Sequence, residues 1–174
     1  MRKSDFTKFL SSLNEEELQE ELGKLFDNVS GVKEYYAMEL GSETDRKKIF
    51  DTAKKKIDRY YATKSYRKPK APRIRYLQSL LREMHQLSVF PHETVDIYLY
   101  DVEKALDFLD EYYFYSKTLF NHLEKSFTTA CDLIGGGRFQ EMFSVRVERI
   151  MHLAGKHREI YREFNNAFIK TFRR

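Results

Sequence analysis

Residues 95–134 of the chain read VDIYLYDVEKALDFLDEYYFYSKTLFNHLEKSFTTACDLI and contain neither Gly nor Pro. On an α-helix, which turns roughly 100° per residue, the apolar side chains of the first half gather on one face spanning roughly 200°. These side chains are Val95, Ile97, Tyr98, Leu99, Val102, Ala105, Leu106, Phe108, Leu109, Tyr112 and Tyr113. Because one neighbour cannot cover so wide a face, we predict that the other helices pack around residues 95–134.

The second half of this stretch has a different apolar direction. The change falls at residues 114–117, where Ser116 can act as the N-cap of a new helix. Leu119, Leu123 and Phe127 then follow at helical spacing. We therefore predict two antiparallel helices here rather than one long rod.

The rest of the chain repeats this helical pattern. Asn14 is followed three residues later by Glu17, which is a capping-box pattern, and Ser42 precedes Asp45 at the same spacing. Seven Gly and three Pro leave long uninterrupted segments, which is typical of helices rather than of a turn-rich sandwich. We predict an all-α fold, an antiparallel bundle of about seven or eight helices with an N-terminal helical hairpin.

The length of 174 residues favours one domain, residues 1–174. Within it we predict an N-terminal helical subregion at 1–61, a basic linker at 62–71 and core helices at 72–174. Pro69 and Pro72 support the linker, because a proline keeps the residue before it out of the helical conformation.

Basic residues concentrate around this linker. Eight of the 31 Lys and Arg residues lie between Arg59 and Arg82, where there is no acid, which leaves 23 basic against 27 acidic residues elsewhere. The site predicted from this segment consists of Lys64, Arg67, Lys68, Lys70, Arg73 and Arg75, with Tyr66 and Tyr76 available to stack on bases. Such a segment can bind nucleic acid or another polyanion through phosphate contacts and stacking.

The alternative to polyanion binding is that the basic segment is a solvated loop or a loop paired with acids of the same chain. The strip of the central helix opposite its apolar face carries acids, and the basic segment can lie against them. This acidic strip consists of Asp96, Glu103, Asp107, Asp110 and Glu111. Both interpretations remain open at the level of sequence.

Asp101 and Arg146 fall inside apolar arcs of their helices. A buried charge needs a partner, so we predict a structural ion pair between them, or between each and another charge such as Arg75. A structural role is favoured over a catalytic one, because ion-pair networks also bury carboxylates.

No catalytic or metal-binding pattern emerges from the remaining residues. The five His residues lack metal-ligand spacing, and nucleophile elbows, dinucleotide loops and kinase motifs are absent. Cys131 lies among apolar residues at helical spacing, which indicates a core thiol. We therefore expect no enzyme activity, no cofactor, no metal and no small-molecule substrate.

The compartment is expected to be the cytoplasm. One Cys cannot form an internal disulfide, and the start MRKSDF lacks the apolar run of a secretory signal. No stretch approaches the roughly 18 apolar residues that span a bilayer, so we expect no membrane partner. The predicted function is a non-catalytic interaction module with a protein partner or homo-oligomer, and nucleic-acid binding through residues 64–75 is the alternative.

Several short motifs are similar to those of a known family. They are LxxLxxEEL at 10–18, VKEYY at 32–36, YxxDVE at 98–103 and FNHLExxF at 120–127. Their order resembles an uncharacterised bacterial family of short, wholly helical proteins that is classed as a domain of unknown function. The resemblance covers nearly the whole chain and implies a helical fold, but no activity.

Overall fold

Helices make up all of the regular secondary structure in the part of the chain that this computed structural model describes, residues 1–63 and 67–173. The helices are α1 (Lys3–Ser11), α2 (Glu15–Asn28), α3 (Ser30–Leu40), α4 (Glu43–Tyr61), α5 (Ile74–Leu87), α6 (Pro91–Tyr112), α7 (Lys117–Gly137), α8 (Gln140–Ala154) and α9 (Arg158–Phe172). The predicted all-α class is confirmed. The described residues form nine helices rather than seven or eight.

Helix α6 lies at the centre of the core. It packs against α4, α5, α7 and α8, as its wide apolar face predicts. Leu99, Leu106 and Leu109 are fully buried. Tyr113, in contrast, is 72% exposed, because the backbone turns left-handed there (φ 49°) and ends α6 one residue earlier. Its predicted place on the buried face is wrong.

Helix α7 packs against α6 on one side and α9 on the other. The contact with α9 is centred on Phe127 and Phe164, whose rings stack in parallel with centroids 4.0 Å apart. Both rings are buried. The two helices are therefore joined by the kind of aromatic contact that contributes most to a core.

The helix starts follow the predicted caps. The Asn14 side chain accepts a hydrogen bond from the Glu17 backbone N–H, and the Glu17 carboxylate accepts one from the Asn14 N–H, both at 2.9 Å. At the starts of α4 and α7, the hydroxyls of Ser42 and Ser116 accept hydrogen bonds from the backbone N–H groups of Asp45 and Leu119, without the reciprocal bond. Helix α7 continues through Gly137 and stops where Arg138 turns left-handed (φ 56°).

The first two helices stand apart from the core. Neither α1 nor α2 contains a buried residue, and the main packing partner of α2 among the described helices is α3. Helix α3 in turn reaches the core through the fully buried Met38. We refer to α1 and α2 together, residues 3–28, as the N-terminal arm.

Candidate functional site

The predicted basic segment lies between α4 and α5 and at the start of α5. Lys64 and Tyr66 fall outside the described residues. The remaining side chains are all exposed; they are Arg67, Lys68, Lys70, Arg73 and Arg75. The backbone N–H of Lys70 donates a hydrogen bond to the Thr63 hydroxyl at 2.9 Å, which ties the two ends of the loop together.

An aromatic and apolar groove adjoins this segment. Tyr60 and Tyr76 stack with ring centroids 5.7 Å apart, and the Arg73 backbone N–H donates to the Tyr60 carbonyl at 3.2 Å. The groove has a volume of about 470 Å³ and reaches the loop between α6 and α7. Its lining includes Pro72, Arg73, Arg75, Tyr76, Phe114 and Leu119. We call it the basic groove.

Four of the five carboxylates of the acidic strip pair with residues outside the basic segment. Asp96 contacts Lys54 and Arg146, Glu103 contacts Arg146, Asp107 contacts Lys104, and Asp110 contacts Lys156 and His157. None of these ion pairs involves Arg67, Lys70, Arg73 or Arg75. Docking on the strip is therefore wrong for these four residues, and their positive charge remains at the surface.

Arg146 holds the strip against α8. Its Nε and Nη2 donate to the two oxygens of Glu103 at 2.9 and 2.8 Å, and its Nη1 donates to Asp96. Burial alone would raise the pKa of the Asp96 carboxyl, but Lys54 and Arg146 beside it keep that pKa below its usual value. The direct Asp101–Arg146 pair is therefore wrong, whereas the alternative, pairing with another charge, is confirmed for Arg146, which lies half-buried with Asp96 and Glu103.

Asp101 is completely buried, as predicted, but its partners are different. Its carboxylate accepts hydrogen bonds from the Tyr61 hydroxyl at 3.0 Å and from the Ser126 hydroxyl at 2.9 Å. Nε2 of His122 lies 2.9 Å from Oδ2, at an angle that does not complete a hydrogen bond. Burial and the neighbouring carboxylate raise the pKa of Tyr61 well above its ordinary value of 10.0, so this hydroxyl stays protonated and donates.

A polar cleft opens over this buried network, between α5 and α7. Its volume is about 290 Å³, and Tyr98 of α6 forms part of its wall. The lining residues are Gln78, Leu81, Arg82, His85, Gln86, Tyr98, His122, Lys125, Ser126 and Thr129. We refer to this space as the polar cleft.

The polar cleft was not predicted from the sequence. The signal was present in the spacing, because Gln78, Arg82 and His85 share one face of α5 while His122 and Lys125 share one face of α7. Each residue alone is typical of a solvated helix surface. The packing of α5 against α7 brings the two faces together.

Cys131 is buried in the core, as its helical spacing predicts. Burial raises the pKa of Cys131 to about 12, so its thiol is protonated at neutral pH and is a poor nucleophile. Within residues 1–63 and 67–173, no three His, Cys, Asp or Glu side chains group as metal ligands would. None of the described helices combines the length and the apolar character needed to cross a bilayer.

Comparison with known proteins places the chain in a family. No curated protein and no solved structure matches it. A family model does match, over residues 1–173, and its description is a family of unknown function (DUF6155). The resemblance inferred from the short motifs is thereby confirmed at the level of a family without assigned function, and the chain belongs to that family.

Proposed function

We propose that this chain is a non-catalytic protein-interaction module of the cytoplasm, and that the N-terminal arm of one copy docks into the basic groove of another. The observation that carries the proposal is the arm itself, two amphipathic helices with no buried residue. A free arm of this kind leaves apolar surface in water, which marks an interaction site.

The arm combines apolar and acidic character. Leu22 is 50% exposed and Phe26 is 44% exposed on α2, and Phe9 is equally open on α1. Residues 3–28 carry seven acidic and three basic side chains, a net charge of −4. The partner of the arm should therefore offer an apolar groove with a basic rim.

The basic groove has these properties. Phe114, Tyr76 and Leu119 supply an apolar lining, and Arg73 and Arg75 supply the charge. The arm of the same copy packs against α3 instead. Helix α3 joins the first residue of α4, whereas the groove adjoins the last turn of this 19-residue helix, roughly 28 Å away at 1.5 Å per residue. A second copy is therefore the occupant that we propose.

We expect sedimentation equilibrium to show self-association that weakens with salt, since opposite charges face each other. Replacing Leu22 and Phe26 with Ser should weaken it by roughly tenfold or more, because two anchors lose about 1.4 kcal/mol or more in total. Replacing Val145 with Ser is the matched control, because this side chain is 79% exposed on α8, outside both surfaces, and should change nothing.

Charge reversal distinguishes specific docking from non-specific association. R73E/R75E should abolish self-association, and the further change E20K/E21K on the arm should restore it. A wild-type chain that remains monomeric at about 1 mM contradicts the proposal, since even a weak specific contact of about 4 kcal/mol has a dissociation constant near 1 mM and would place about half of the chains in dimers. If R73E/R75E associates as strongly as the wild type, the interface does not include the basic groove.

Polyanion binding through the basic segment is the second candidate function. It is favoured by the exposure of Arg67, Lys70, Arg73 and Arg75, none of which pairs with the acidic strip. Tyr76 is 60% exposed and offers a ring face on which a base can stack.

Fluorescence anisotropy with single-stranded RNA and duplex DNA tests this candidate over a range of salt concentrations. If binding occurs, R67Q/K70Q should reduce the slope of log K against log salt by about 1.5, which corresponds to two lost phosphate contacts. K47Q/K55Q, which removes two exposed lysines from α4, should leave the slope unchanged. No binding at low salt excludes this function.

A further inference from the structure

We propose that the polar cleft between α5 and α7 is a binding site for a small organic anion that carries a carboxylate or phosphate group. The site is independent of self-association and of the basic segment. It also revises the expectation from sequence that the chain has no small-molecule ligand.

The first argument is the charge of the lining. Arg82 and Lys125 both border the cleft, and no carboxylate lines it. Neither cation has a carboxylate within ion-pair distance among the described residues, whereas other basic side chains of the core, such as Arg46 and Arg146, are paired. Two unpaired cations on facing helices create a positive field that an anion can neutralise.

The second argument is the floor of the cleft. His122 and Ser126 line it although both are only 2% exposed. The Asp101 carboxylate lies behind them, where it is held by hydroxyl donors from Tyr61 and Ser126. The Asp101 carboxylate is thus hydrogen-bonded to internal donors, and the Ser126 hydroxyl of the floor is fixed before any ligand arrives. Such preorganisation lowers the cost of binding.

The third argument concerns the organic part of the ligand. The Tyr98 ring meets the His85 ring edge to face at a centroid distance of 6.1 Å, and Leu81 adds an aliphatic surface. Apolar and aromatic walls with a few convergent polar groups are typical of small-molecule sites, and a volume of about 290 Å³ suits a ligand of one ring and one charged group. The carboxylate or phosphate would contact Arg82 and Lys125.

The test is a ¹H–¹⁵N NMR titration of the full chain with three probes: inorganic phosphate, phenyl phosphate and benzoate. We expect saturable shifts of amides in residues 78–86 and 122–129 with one or both organic probes, and the better probe identifies the charged group. R82Q/K125Q should weaken this binding by roughly tenfold or more, because hydrogen bonds to charged groups are lost. Both positions are exposed, so the variant should fold normally.

The matched control is K55Q/R149Q, which removes one exposed Lys and one exposed Arg from α4 and α8, away from the cleft. The affinity of this control variant for each probe should equal that of the wild type. Shifts that stay linear to about 50 mM of every probe, well beyond a millimolar dissociation constant, would overturn the proposal. An affinity of R82Q/K125Q for the organic probes equal to that of the wild type would overturn it too. Saturation by inorganic phosphate alone would show that the cleft binds the anion without recognising an organic group, and this would overturn the proposed organic part of the ligand.

Discussion

Replacing Asp101 with Ala is expected to lower the free energy of unfolding by about 2–5 kcal/mol, because it leaves two buried hydroxyls unsatisfied at about 1–3 kcal/mol each. The substitution leaves the hydroxyls of Tyr61 and Ser126 without their acceptor at buried positions. Each unsatisfied buried group adds to the loss. Urea unfolding followed by circular dichroism measures the change.

Two variants bracket this result. D101N retains one carbonyl acceptor, so we expect an intermediate loss of about 1–2 kcal/mol, and this variant remains measurable if D101A does not fold. D107A removes a carboxylate from the same helix, but that carboxylate is 63% exposed and lies 4.0 Å from Lys104, so it should cost less than about 0.5 kcal/mol. A loss below about 1 kcal/mol for D101A would show that the network does not hold the core together.

The second large effect is expected at the contact between α7 and α9. F127A should destabilise the protein by about 3–5 kcal/mol, because it removes a fully buried ring and leaves a cavity beside Phe164. The parallel stack with its 4.0 Å centroid distance is lost as well. Thermal unfolding and urea titration should both report the decrease.

F127L tests how much of that effect belongs to the ring. Leu fills most of the volume, so the expected loss is about 1–2 kcal/mol. Y161A is the control on α9, where the side chain is 42% exposed and should matter little. If F127A and Y161A proved equally mild, the packing of α9 against α7 could not be as described.

The central part of the fold was predictable because periodicity reports directly on burial. The spacing of Leu99, Leu106 and Leu109 fixes the buried face of α6 without any knowledge of its neighbours. Asn14 and Ser116 mark helix starts because capping depends on residues three positions away. The break between α8 and α9 was harder to predict, since Gly155 is tolerated inside many helices and only the structure shows the chain turning there.

The candidate sites were less predictable because they depend on the register between helices. The arcs of α6 and α8 indicated that Asp101 and Arg146 point inward, but not which groups meet them. The partners of Asp101 lie 40 residues before it and 25 residues after it in the chain. Likewise, Arg82 and Lys125 look like ordinary surface residues until α5 and α7 are placed side by side.

The unburied N-terminal arm has a thermodynamic consequence. Isolated helices of 9 and 14 residues are marginal in water, so α1 and α2 contribute little to the cooperative unfolding of the core and should open locally at small cost. The free energy of docking would then include part of the entropic cost of ordering the arm, as in coupled folding and binding. Affinity would respond to helix propensity at positions such as Gly23, where an added Cβ would meet no other atom of this chain within 4 Å, and evolution could tune assembly there without altering the packing of the arm on its own copy.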